Sequence, residues 1–376
     1  MIPVKERDNL MKSVDFYLMC YDERWAKFRL SVQGTYTEAV VLYNYKGLIP
    51  WGMRDLLSWL KGRYAISYHS DVTKLFNSLG LKDDIDFCMV SNCSSLLDAF
   101  WVKPISSRKS FSSVSPWLNS FNQDIARYSF DGKLNGKCVS SGSPDFATGG
   151  QFPKCWRREN GMAYMYKAGS SGYMNAGLEP YSEVFCSQLA QYMGVSEVGY
   201  TLTKYRDKIS SKCRCLADIN TGLISAKDTF GESTDYKLLI AESKKAENWQ
   251  YRAVQDMILL MFLTCDVDRH FGNIGIFVDN RTQSLKGISP LYDHNLSCVP
   301  YYIESENLYK YIDSLVYKDG VPIMETLGLV WDRRLKELAF KVRNFKFNSH
   351  GMDSVGAKRC DVVNKMLQYQ LSKLLG

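Results

Sequence analysis

Apolar positions recur at helical spacing in four stretches of the chain. Between Trp51 and Lys61 they are Leu56, Leu57 and Leu60. Between Tyr251 and Thr264, Val254, Met257, Ile258, Met261 and Phe262 fall on one side. The run Glu179 to Met193 lines up Val184, Phe185, Leu189, Tyr192 and Met193, with Pro180 suited to a first turn and Gly194 to a stop. Val362 to Leu375 reads as an amphipathic helix. Strand patterning is shorter. In Lys154 to Lys167 two strand-like runs flank Asn160-Gly161, a pair that tolerates positive φ and so marks a hairpin. That places Lys167 near the end of the second strand. Val198 to Tyr205 and Ile274 to Val278 read as strands, Lys212 to Ile219 as a strand or connector, and Ser289 to Asp293 follows a turn. Residues 1 to about 130 mix charged helical stretches with aromatic segments, and Ser140 to Gly150 is a Ser/Gly-rich loop.

This order predicts an α+β chain in three parts. Residues 1–139 form a mixed and helical N-terminal domain, 140–218 a small β-rich lobe, and 219–376 a mostly helical lobe. A length of 376 residues exceeds what one core usually serves. Hydrophobic residues at 45% and charged residues at 23% argue against disorder. The formal net charge of +7 suits an anionic small ligand, and without a Lys/Arg run no direct nucleic-acid binding is expected. The longest apolar run, Met257 to Cys265, is too short to span a bilayer. Met1 to Ser13 is charged rather than apolar, and the 11 Cys follow no disulfide framework. A cytoplasmic protein with reduced thiols is therefore expected, with no membrane partner.

Candidate chemistry concentrates in Asp268-Arg269-His270-Phe271-Gly272-Asn273 and Pro290-Leu291-Tyr292-Asp293. Phosphoryl transfer needs a carboxylate for the acceptor hydroxyl, hard oxygen ligands for Mg²⁺ and a cation on the nucleotide phosphates. Asp268 and Asn273 lie in one polar loop between a helix and a strand, and Asp293 is placed to complete a metal site. Lys167 could reach the phosphates, with Glu183 or Glu179 on the next helix holding its ammonium. Thr148 to Lys154 could offer backbone N–H groups to phosphate. Asp268 and Asn273 also suit a helix cap and a turn. His270 reads as a ring that hydrogen-bonds the loop backbone, Arg269 as a surface charge or a phosphate contact, and His294 as incidental. Cys213-x-Cys215 lacks the second pair a zinc site needs.

D-x-H-x-x-N followed by P-x-Y-D resembles the signature of HipA-like serine/threonine kinases. Gly150-Gln151 with Lys154, Lys167 at a strand end, and Glu183-Val-Phe-Cys-Ser-Gln-Leu-Ala before Gly194 are similar to the same family, over residues 140 to 300. The resemblance implies a two-lobed protein-kinase-like fold using ATP and Mg²⁺. It makes Asp268 the catalytic base, Asn273 and Asp293 catalytic metal ligands, and Lys167 the nucleotide lysine positioned by Glu183. Gly149, Gly150, Gln151 and Lys154 would form the phosphate loop, with Asp218 at the adenine connector and His270 beside the nucleotide. A protein substrate, a regulatory or antitoxin partner, and autophosphorylation at Ser143 or Thr148 are implied as well. Three departures stand out: Asp266 occupies a position that is often Asn, the phosphate loop carries an extra residue, and the first 130 residues do not resemble the family's N-terminal subdomain. Phosphoinositide kinases share D-R-H-x-x-N, and an inactive kinase-fold regulator is a further reading.

Overall fold

A computed structural model describes residues 10–47, 50–53, 55–63, 77, 79–132, 143–148, 152–172, 175–231 and 235–376. The chain divides into two compact units. The first comprises Met1–Met165, Ala217–Ile224 and Phe277–Lys286, and the second Tyr166–Leu216, Ser225–Ile276 and Gly287–Gly376.

The first unit is built on a four-stranded sheet, whose strands were not among the elements named from the sequence. Strands β1 (Lys12–Cys20), β2 (Glu23–Gln33), β3 (Tyr36–Asn44) and β4 (Phe100–Pro104) lie in the order β3-β2-β1-β4. All three neighbouring pairs are antiparallel. The reason is visible in β2, where Ala26, Phe28, Leu30 and Val32 are buried between the more exposed Lys27, Arg29 and Ser31. A period of two puts every apolar side chain on one face of a strand. Phe16 of β1 registers with Phe28 and stacks on it at 5.5 Å. Helices Leu56–Gly62 and Asp84–Ser91 contribute Leu60, Ile85 and Phe87 to the same core.

The hairpin at Asn160-Gly161 joins β5 (Lys154–Glu159) to β6 (Met162–Ala168). Both turn residues have positive φ, 48° and 80°, as a two-residue hairpin turn requires. With β7 (Thr201–Tyr205) and β8 (Lys208–Arg214) these strands form a sheet of order β5-β6-β8-β7. In the second unit the helix Glu179–Met193 carries Pro180 in its first turn and ends at Gly194, which adopts φ 78°. Strands β9 (Thr221–Ser225), β10 (Gly275–Asp279) and β11 (Leu285–Ile288) form a third sheet, ordered β11-β10-β9.

The helix Asn248–Thr264 differs from its expected one-sided stripe. Leu259, Leu260 and Leu263 are as buried as Met257, Ile258, Met261 and Phe262. Its second half, from Met257 to Leu263, is apolar all round because it runs through the interior of the second unit, where helices Tyr236–Lys245, Ile323–Gly328 and Ser354–Leu375 pack on the helix. Cys265, at φ 52°, ends that helix and delivers the chain into the polar loop that begins at Asp266.

Candidate functional site

All residues of the central cluster belong to the second unit. β6 carries Lys167, and the helix Glu179–Met193 carries Glu183 one turn from its start. The Lys167 ammonium lies 2.6 Å from Glu183 Oε1 and also donates to Asp293 Oδ1. Ser211 of β8 donates to the other oxygen of Glu183. Lys167 and Glu183 are buried, whereas a quarter of the Asp293 side chain is exposed. Burial opposes the charge on Lys167, but the carboxylates of Asp293 and Glu183 outweigh it and hold the amine protonated, its pKa raised. Of the two glutamates considered for this role, Glu179 is occupied elsewhere. It accepts from Ser170 N at 3.1 Å and from Tyr301 Oη at 3.0 Å.

The loop after Asn248–Thr264 is stitched to itself. His270 N donates to Asp268 O at 2.8 Å, and Asn273 Nδ2 donates to the same carbonyl at 3.1 Å. His270 Nδ1 accepts from Gly272 N at 3.0 Å, capping the short 3₁₀ turn Phe271–Asn273. A Cβ on Gly272 would lie 2.6 Å from the His270 ring, so this approach needs glycine. Asp268 is half-buried, with Lys318 Nζ 3.5 Å from Oδ1. Burial raises its pKa, against the pull of His270 and Lys318, and the charges of Asp293 and Asp266 add to the rise.

Arg269 is neither a surface charge nor free to reach a phosphate, because its guanidinium is fully buried. Nε and Nη2 donate to Asp266 Oδ2 at 3.0 and 2.7 Å. Nη1 donates to Asn273 O at 2.7 Å and to Tyr292 O, while Nη2 donates to Asp293 O at 3.1 Å. His294 is not incidental either. It is wholly buried, with Nδ1 2.8 Å from Arg269 Nη2. Since a guanidinium only donates, Nδ1 accepts and the ring proton sits on Nε2. Burial and the adjacent Arg269 push the His294 pKa down to about 4. The Asp266 carboxylate is buried too, and although burial raises its pKa, Arg269 brings it below the usual range.

Asp293 has a φ of 60°, left-handed backbone that few non-glycine residues adopt. Tyr200 Oη accepts from Asp293 N at 3.0 Å and helps hold it there. Tyr200, Ser211 and Lys318 gave no signal in the sequence, because each reaches the site from a distant segment through one hydroxyl or ammonium. Arg269 had a signal: the three-residue spacing from Asp266 suits an ion pair.

The remaining expected residues belong to the first unit or fall outside the described residues. Gly149, Gly150 and Gln151 fall outside the described residues. Lys154 is buried at the start of β5, in the first unit. Asp218, also in the first unit, is exposed and accepts from Asn220 N and Thr221 N at 2.7 and 2.8 Å, shaping the turn before β9. Ser143 and Thr148 are 1% and 3% exposed. Ser143 Oγ donates to Asp145 Oδ2 at 3.0 Å, and Thr148 Oγ1 to Asp145 O at 3.3 Å. Both hydroxyls are inward-facing in this conformation.

Among the described residues no group of three or more His, Cys, Asp or Glu is arranged to bind a metal. No helix is long and apolar enough to cross a membrane. Two oxygen donors of the cluster are the part-exposed Asp293 carboxylate, one oxygen of which holds Lys167, and Asn273 Oδ1, whose amide nitrogen is committed to Asp268 O. One carboxylate and one carboxamide suit Mg²⁺, which completes its shell with water and phosphate oxygens.

No protein-family profile and no curated protein matches the chain. Solved structures do. HipA of the Shewanella oneidensis MR-1 toxin–antitoxin system, in complex with HipB and operator DNA, superposes with a TM-score of 0.53 at 14% identity, covering 95% of this chain and 97% of that one. The Helicobacter pylori proinflammatory kinase CtkA matches at 16% identity over 58% of this chain and 90% of its own, with a TM-score of 0.38 too low to bear on the fold. The likeness to HipA shows a shared two-lobed, kinase-like α+β fold.

Proposed function

We propose that this chain is a HipA-like protein kinase that transfers the γ-phosphoryl group of ATP to a Ser or Thr hydroxyl of a protein. The observation that carries the reading is the buried Lys167 ammonium held between Glu183 and the part-exposed Asp293. Burying a cation is costly unless its partners are arranged for it, and here one partner faces solvent. An incoming phosphate can replace Asp293 as that partner, with Glu183 and Ser211 keeping the lysine aimed.

In this reading Asp268 orients the acceptor hydroxyl and takes its proton, a task suited to a carboxylate whose pKa burial has raised. Asn273 and Asp293 hold Mg²⁺, which when bound neutralises charge on the phosphate oxygens. His270 keeps the loop closed around Gly272. Gly149, Gly150, Gln151 and Lys154 serve as the phosphate loop and Asp218 as part of the adenine connector. Phosphorylation of Ser143 or Thr148 would require their segment to open, since both hydroxyls are buried. By analogy with HipA and its HipB partner, a regulatory protein partner belongs to the proposal. The buried free cysteines suit a reducing compartment such as the cytoplasm.

The test is to incubate the full chain and Asp268→Ala with γ-labelled ATP and Mg²⁺, then to locate phosphate by mass spectrometry. Phosphoserine or phosphothreonine on the protein or an added acceptor, from the unsubstituted chain only, is expected. ATP binding without any transfer, across a panel of protein acceptors, would contradict the assignment.

A further inference from the structure

We infer that Arg269 is a positioning residue that sets the distance and orientation between the two metal-binding oxygens, Asn273 Oδ1 and the Asp293 carboxylate. The inference rests on the kinase reading and deepens it. One planar guanidinium hydrogen-bonds the main-chain carbonyls of both residues, Asn273 O at 2.7 Å through Nη1 and Asp293 O at 3.1 Å through Nη2. Nη1 reaches Tyr292 O as well, so the bonds grip two successive peptides of the segment that presents Asp293. Each grip is within one residue of the Cα from which a donor side chain projects. The two donors lie twenty residues apart in sequence, with β10 and β11 between them. Arg269, itself part of the first loop, bonds to both.

Three features mark the contact as specific. A guanidinium has five N–H donors in a fixed plane, and Asp266, Asn273, Tyr292, Asp293 and His294 together occupy all of them. A lysine, with one donor centre, cannot reach both loops in the same geometry. Asp266 fixes the plane by accepting from Nε and Nη2, which gives a purpose to an aspartate at a position where the resembled family often has asparagine. Asp293 needs holding, because its φ of 60° is one that side chains seldom adopt. Its N–H is held by Tyr200 Oη and its carbonyl by Arg269. With 0% of its side chain exposed, Arg269 touches no ligand and acts through the residues it holds.

Outer-sphere groups that orient metal ligands typically change metal affinity about 10- to 100-fold when altered. The experiment uses the full chain, Arg269→Lys and Asp266→Asn, and follows three quantities: ATP affinity in EDTA, the Mg²⁺ concentration at half-maximal ATP binding, and the melting temperature. Arg269→Lys is expected to bind ATP in EDTA much as the parent does, through Lys167, and to need about tenfold or more Mg²⁺ for half-maximal binding. Asp266→Asn keeps the guanidinium and loses its charged anchor, so a smaller shift in the same direction is expected. It also serves as the test if Arg269→Lys fails to fold. A lower melting temperature with parental Mg²⁺ dependence in either folded variant would make Arg269 a stability residue only and overturn the inference. If the parent chain itself binds ATP without any Mg²⁺ dependence, the kinase reading fails and this inference with it, an outcome separate from the first.

Discussion

Lys167 and Arg269 are buried cations of the second unit, and they are held in different ways. Lys167 is gripped by carboxylate side chains alone, Glu183 and Asp293, and a quarter of the Asp293 side chain is exposed. Arg269 is gripped by one carboxylate, three main-chain carbonyls and a neutral imidazole, all inside the protein. Main-chain carbonyls cannot swing away without moving the chain, whereas a solvent-facing carboxylate can turn to another partner. The difference matches the proposed roles, a cation that can take a ligand phosphate and one that holds the architecture, and net charge or burial alone does not tell them apart.

The largest effect should come from Arg269→Met. It orphans the Asp266 carboxylate and leaves three carbonyls without their donor, and breaking a buried pair in this way costs about 3–5 kcal/mol. A melting curve or denaturant titration of the full chain measures it. Lys167→Met should cost less than that, because Asp293 can turn to water and Ser211 still serves the buried Glu183. That variant should stay folded and lose ATP binding in calorimetry. Equal destabilisation by the two substitutions, or ATP binding retained without Lys167, would break the comparison. Ser211→Ala should be smaller again, about 1 kcal/mol, with a weakened rather than absent ATP affinity.

A third buried charge site sharpens the contrast by pH. Asp145, in the first unit, accepts from Trp156 N at 2.6 Å and from Ser143 Oγ at 3.0 Å, with no cation among these bonds. Burial pushes its carboxyl from the ordinary 3.8 up to about 7. The folded state therefore holds a proton that the unfolded chain has already released. Its contribution is fully present below about pH 4 and is lost as pH rises to about 7. Asp145→Asn should flatten the fall in melting temperature between those limits. An unchanged slope would show that this carboxyl ionises at its ordinary value in the fold.

Local elements were the most legible part of the sequence. The Asn160-Gly161 hairpin and the helix Glu179–Met193 are written in adjacent residues, through positive-φ turn chemistry, a first-turn proline and a glycine stop. The N-terminal sheet was written as plainly, in the alternation from Ala26 to Val32. It went unnamed because the region was read only as a mix of charged helical stretches and aromatic segments. At the site, Lys167, Glu183 and Asp293 are named by motif order, but their meeting is a property of the fold. Arg269 was read as a surface charge or a phosphate contact, and His294 as incidental, because a polar residue in a loop is usually exposed. Here the loop itself is interior, since the apolar helix Asn248–Thr264 delivers it there.

The most direct test of the central claim is isothermal titration of ATP into the full chain and into Asp293→Ala, each with Mg²⁺ and with EDTA. The account predicts Mg²⁺-strengthened ATP binding in the unsubstituted chain, and loss of that strengthening in Asp293→Ala while Lys167 still binds phosphate. Equal Mg²⁺-ATP affinity in the two proteins would contradict it.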